Sequence, residues 1–125
     1  MIAAAIAFVV LLGCLVLFQL ALALGAPWGR FAWGGQHDGV LPAGYRIGSV
    51  VAAVVYALIG SIALDRASVI AWYPAGFTVV AMWVVFGLLV AGVLMNAISR
   101  SKSERNAMTP IALCLAVLAL LVALG

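Results

Sequence analysis

The chain has 125 residues, 69% hydrophobic and 7% charged, with six Lys and Arg against three Asp and Glu and a net charge of +3; its mean hydropathy is +1.36. Soluble domains carry about a quarter charged residues, and so few charges cannot coat a globular surface. The same figures exclude intrinsic disorder, which needs little apolar content and much charge, and leave an integral membrane protein.

A helix crossing about 30 Å of hydrocarbon needs roughly 20 mostly apolar residues, and four segments reach that length. The expected fold class is an all-α, four-transmembrane-helix bundle, a single membrane domain over 1–125. The first helix is expected over about 2–24, with Gln19 as its only strongly polar side chain; Gly25 suits the position just past a helix end and Pro27 prevents continuation. Small residues over 21–26 resemble a cleavage site, but no Lys or Arg precedes the run. The run also exceeds the roughly 7–15 residues of a signal-peptide core, so a retained membrane helix is expected.

A loop over 25–46 follows, rich in turn formers at Gly34, Gly35, Gly39, Pro42 and Gly44. The second helix is expected over 47–64, ended by Asp65 and Arg66. The third is expected over 74–98, where Pro74 suits a first helical position because its missing N–H is not needed there. After a basic loop over 99–109, the fourth helix (103–124) has two readings at its start. Thr109 before Pro110 matches an N-cap and first-turn proline, leaving a span of about 24 Å. Ser101 and Glu104 instead match a capping box, which starts the helix near Lys102, kinks it at Pro110 and fills the bilayer better. Lys102 and Arg105 would then snorkel to headgroups.

The cations set the expected topology. Arg30, Arg46, Arg100, Lys102 and Arg105 fall in the loops after the first and third helices, and only Arg66 lies on the other side. This asymmetry in short loops predicts that both basic loops are cytoplasmic and both termini outside, in a multi-pass protein of the cell inner (plasma) membrane. Trp28, Phe31, Trp33 and Tyr45 then flank the inner boundary, and Trp72 and Tyr73 the outer one.

Helices in lipid associate through small residues that allow close approach. The second helix carries Ser49, Ala53, Ala57 and Ser61 at four-residue spacing, and Gly44 and Gly48 match GxxxG at its start. It is therefore expected to be central in the bundle. Gly87 and Ala91, broadened by Gly92, form a shorter seam on the third helix. These stripes serve either the bundle itself or a homo-oligomer or larger membrane complex; sequence does not separate the two.

Ionisable residues inside a membrane mark pumps and carriers, and none falls in the interior of the expected spans. Asp65 beside Arg66 is expected as a boundary pair. Small four-helix multidrug exporters resemble this chain in length, but they depend on a first-helix carboxylate where this chain has only Gln19. Cys14 and Cys114 lie at different expected depths without a CxxC, and are expected as small apolar packers. His37, with Asp38 to orient it and Arg30 and Arg46 to hold an anion, could do acid–base work, but no nucleophile accompanies it. Too few ligands gather for a metal, and no cofactor is expected. The leaning is to a non-enzyme.

Asn96, Ser99, Arg100, Ser101, Lys102, Ser103, Glu104 and Arg105 make the densest polar cluster, suited to anionic headgroups, to an acidic partner, or to holding topology alone. Asn96 is expected to cap the last carbonyls of its helix or bond to a neighbouring helix. The loop Trp33-Gly34-Gly35-Gln36-His37, the segment from Asn96 to Arg105 and the following Met108-Thr109-Pro110 resemble a group of small four-span bacterial membrane proteins with no assigned activity. That resemblance implies no mechanism, but it directs attention to the two basic loops.

The leading expectation is a protein that binds lipid headgroups or a membrane partner, not nucleic acid, through Arg30, Trp33, His37, Asp38, Arg46, Asn96, Arg100, Lys102, Glu104 and Arg105. The alternative is a small carrier or channel for a neutral or anionic solute, lined by the small stripe of the second helix with Gln19, Tyr56, Thr78 and Asn96.

Overall fold

The computed structural model describes residues 1–125. It contains four long helices and no strand: α1 (Ile2–Ala23), α2 (Ala43–Arg66), α3 (Phe77–Ala97) and α4 (Lys102–Leu124), with two short 3-10 turns, Gly29–Phe31 and Trp33–Gly35, between α1 and α2. All four helices are long and apolar enough to cross a membrane. Only 25 of the 125 residues are buried, while large apolar side chains such as Leu17, Val80, Leu88 and Leu94 point outward. In water that surface would be an aggregation liability; it is the surface that lipid covers, so the chain is a multi-pass, four-helix membrane bundle.

Local chemistry sets the helix ends. At the end of α1, Gly25 takes φ +104°, and the amides of Gly25 and Ala26 bond to the carbonyls of Leu22 and Ala21, a Schellman stop. The Ser101 hydroxyl accepts from the Glu104 amide at the start of α4, which decides for the capping-box start. The helix then runs on through Pro110. Two boundaries differ from expectation. Helix α2 begins at Ala43, four residues early, because Pro42 serves as its N-cap residue and Arg46 is helical. Helix α3 begins at Phe77: Gly76 has φ +82°, and Pro74 sits in the preceding turn, its carbonyl accepting from Phe77 N–H.

Helices α1 and α2 pack as one hairpin and α3 and α4 as another, and α4 also reaches α1, α2 and both short turns. The most enclosed helix is therefore α4 rather than α2. Its Ala112, Ala116, Ala119 and Ala123 are all buried at spacings of four and three, a small stripe that admits close neighbours. On α2, Ser49 and Ala53 are buried and Ser61 is half-buried, but Ala57 faces outward. Gly44, Gly87 and Ala91 are exposed too, so the seams expected there do not pack within the chain. Gly48 makes room for an aromatic ring rather than a helix: a Cβ there would lie 3.0 Å from the Trp33 indole. Both cysteines are likewise exposed on the outer surface, not packed in the core.

The core is lopsided along the bundle. Its main cluster joins Ala5, Phe8 and Leu12 of α1, Ile59 and Ala63 of α2, Met82, Val85 and Leu89 of α3, and Leu115 to Ala123 of α4. These residues occupy the half of the bundle nearer Asp65. The half nearer the basic loops has only the small cluster of Leu22, Ala32 and Leu41.

Candidate functional site

The basic end is built where the first loop docks on the start of α4. Gly29 allows the loop to fold back on itself: its amide donates to Gly39 O at 2.9 Å, and a Cβ there would overlap the carbonyls of His37 and Gly39. Gly35, at φ +69°, presses against Ser101 with no space for a Cβ. The Ser101 hydroxyl donates to Arg30 O, and the Gly34 amide donates to Glu104 Oε2 at 3.2 Å. Trp33 Nε1 donates to the buried Ser49 hydroxyl at 3.2 Å, fastening the same loop to α2. The two loops that sequence marked separately thus form one surface.

That surface divides its cations. Arg46 Nε donates to Ala23 O at 2.9 Å, capping the negative end of α1. Arg105 donates to Ser99 O at 3.0 Å. Arg30, Arg100 and Lys102 are the ones left exposed, and with Asp38, Gly34, Gly35, Ser101 and Ser103 they line an open polar cleft of about 470 Å³ that contains no hydrophobic residue. The His37 ring packs on Tyr45, 5.2 Å between centroids, while Asp38 belongs to the cleft. The two therefore have separate surroundings, unlike an oriented acid–base pair.

Beneath the docked loop lies a second space, a cavity of about 250 Å³ reached by all four helices. Gln19, Tyr56, Asn96 and Glu104 are the polar residues of its wall, and Phe18, Phe31 and Trp33 are among the apolar ones. Three of the four polar residues expected to line a solute path meet here, but none of the small stripe Ser49, Ala53, Ala57 and Ser61 does. The fourth polar residue, Thr78, is at the other end, donating to Asp65 Oδ1 at 3.3 Å. Asn96 does not cap its helix, since the last carbonyls accept from the Ile98 and Ser99 amides instead.

Glu104 departs furthest from expectation. Expected among the headgroup-facing charges, it is instead 6% exposed and lines the cavity. Its carboxylate accepts one hydrogen bond, from Gly34 N–H. Only half of the capping box forms: the Ser101 hydroxyl accepts from the Glu104 amide, but the Ser101 amide donates to Ser99 Oγ and the Glu104 carboxylate is taken by the docked loop instead. Gln19 Oε1, in the same wall, is buried without any partner.

Asp65 behaves differently. It turns away from Arg66 to accept from the Trp72 and Tyr73 amides at 2.7 and 2.9 Å as well as from Thr78, closing the connection between α2 and α3. Arg66 donates to Ala123 O at 3.3 Å. Compared with known proteins, the chain matches no family model, no curated protein and no solved structure.

Proposed function

We propose that this integral membrane protein is a non-enzymatic binder of anionic lipid headgroups, and that the cleft lined by Arg30, Arg100 and Lys102 is where a headgroup phosphate sits. The observation that carries the reading is the split among the cations: two are committed to backbone carbonyls, and three line an entirely polar cleft with no side-chain hydrogen bond of their own. Asp38 in the same wall is an acceptor for a headgroup hydroxyl or amine. In this reading the basic end faces the cytoplasm and both termini lie outside, supported by the excess of Lys and Arg at that end. Kinship with small four-span proteins of a bacterial inner membrane accords with the loop residues quoted above.

The test is retention of phosphatidylglycerol against phosphatidylcholine through purification, read by mass spectrometry. Each Lys or Arg near an anionic surface contributes about 1 kcal/mol, so Arg30, Arg100 and Lys102 replaced together by Gln should cut selective retention about a hundredfold. Arg105→Gln should leave it unchanged. Equal retention by the triple variant, or a co-purifying protein with no lipid preference, would sink the reading.

A second reading, a carrier or channel for a small solute, is favoured by the cavity alone. Glu104 in its wall turns that reading away from anions. Proteoliposome flux compared with an Asn96→Leu variant tests it, and equal flux in the two would remove it.

A further inference from the structure

The cavity wall carries one charged group, the Glu104 carboxylate, and no cation; its donors, the Tyr56 hydroxyl and the Asn96 and Gln19 amides, are neutral. Glu104 is 6% exposed and has a single hydrogen bond, from a backbone amide, whereas a carboxylate offers about four acceptor sites. Gln19 Oε1 is buried with no partner at all. The carboxylate therefore keeps acceptor sites open towards the cavity it lines, and a bound group that donates hydrogen bonds and carries positive charge would occupy them. An anion would add a second negative charge beside Glu104. A wholly apolar ligand would leave both acceptors unpaired.

The remainder of the wall points the same way. Phe31 and Trp33 border the space, and aromatic faces attract cations; the Arg30 guanidinium already lies over Phe31, 4.9 Å from its centroid. The cations of the chain do not fill the role themselves. Arg30, Arg100 and Lys102 line the outer cleft, and Arg105 is bonded to Ser99 O. An apolar cavity of ~150 Å³ holds benzene, so one of about 250 Å³ admits a molecule of about ten non-hydrogen atoms.

We propose that this cavity binds a small organic cation, an aryl or alkyl ammonium of about that size, with Glu104 as its counter-charge and the aromatic wall around its apolar body. The site is distinct from the headgroup cleft, since the two share no lining residue, although Gly34 of the cleft bonds to Glu104 and Arg30 lies over Phe31.

Phenethylammonium, whose N–H groups can donate to Glu104 and Gln19 while its ring fills the apolar part of the space, is a probe of the right size and charge. Its binding is measured with the full chain in phosphatidylcholine nanodiscs by scintillation proximity, with empty nanodiscs as background. Saturable binding of one probe per chain is expected. Glu104→Gln retains an oxygen for Gly34 N–H but removes the charge, and should weaken binding at least about tenfold. Gly92 lines the cavity and a Cβ there meets nothing within 4 Å, so Gly92→Leu should fill the space and abolish binding without disturbing the fold. A cleft variant with Arg100 and Lys102 replaced by Gln, which keeps Arg30 over Phe31, should bind as the parent does. Absence of saturable binding to the parent chain overturns the proposal. So does undiminished binding by folded Glu104→Gln or Gly92→Leu, or loss of binding in the cleft variant; if one cavity variant fails to fold, the other still decides.

Discussion

The two ends of the bundle use a carboxylate in opposite ways. Asp65 accepts from two amides and a hydroxyl beside the main core cluster, with Tyr73 and Ser61 joined by a hydroxyl contact of 2.6 Å. Glu104 accepts from one amide beside a cavity. A carboxylate whose sites are taken by its own chain is a structural staple. One that lines a cavity with most of its sites untaken is available to something else, and the lopsided core leaves the space for it.

Removing each carboxylate should expose this contrast. Asp65→Ala leaves three donors without their charged acceptor, and unfolding followed by circular dichroism in detergent should show a loss of about 2–4 kcal/mol. A loss under about 1 kcal/mol would mean that the α2–α3 connection does not depend on it. Gly35→Ala puts a side chain at φ +69° against Ser101 and should cost about 2 kcal/mol, together with a change in tryptophan emission as the loop lifts from α4. An unchanged emission spectrum would show that the loop is not held there. Glu104→Gln should cost under about 1 kcal/mol, because the amide oxygen still accepts from Gly34 and a buried charge is relieved. If it destabilises as much as Asp65→Ala, the two ends are not different in kind.

The smallest effect is expected at the stop of α2. There the amides of Ser68 and Val69 bond to the carbonyls of Asp65 and Leu64, the same pattern that ends α1, but with Ser68 at φ +63° where α1 has Gly25. Ser68→Gly should raise stability by about 0.5 kcal/mol, since the left-handed strain relieved exceeds the entropy that glycine adds to the unfolded chain. A decrease in thermal midpoint would contradict that account.

Sequence alone determined that the chain crosses a membrane four times, because an unbroken apolar run of spanning length has no other stable setting and needs no tertiary partner to be recognised. It also determined the segregation of cations to one end, which depends only on where the charges fall between the apolar runs; for the start of α4 it offered two readings, and the structure chose the one at Ser101. Tertiary structure decided which small stripe is buried, choosing Ala112 to Ala123 of α4 over Ala57 of α2 and over Gly87 and Ala91 of α3. In a chain whose every helix is rich in Ala and Gly, composition does not rank faces that differ only in what lies opposite. It also decided the fate of the charges. Arg46 and Arg105 read as headgroup cations until the carbonyls of Ala23 and Ser99 are seen to hold them. Glu104 reads as one more solvated loop charge until a segment 70 residues earlier folds over it. Burial of a charge depends on what covers it, and that contact is made only when the loop docks.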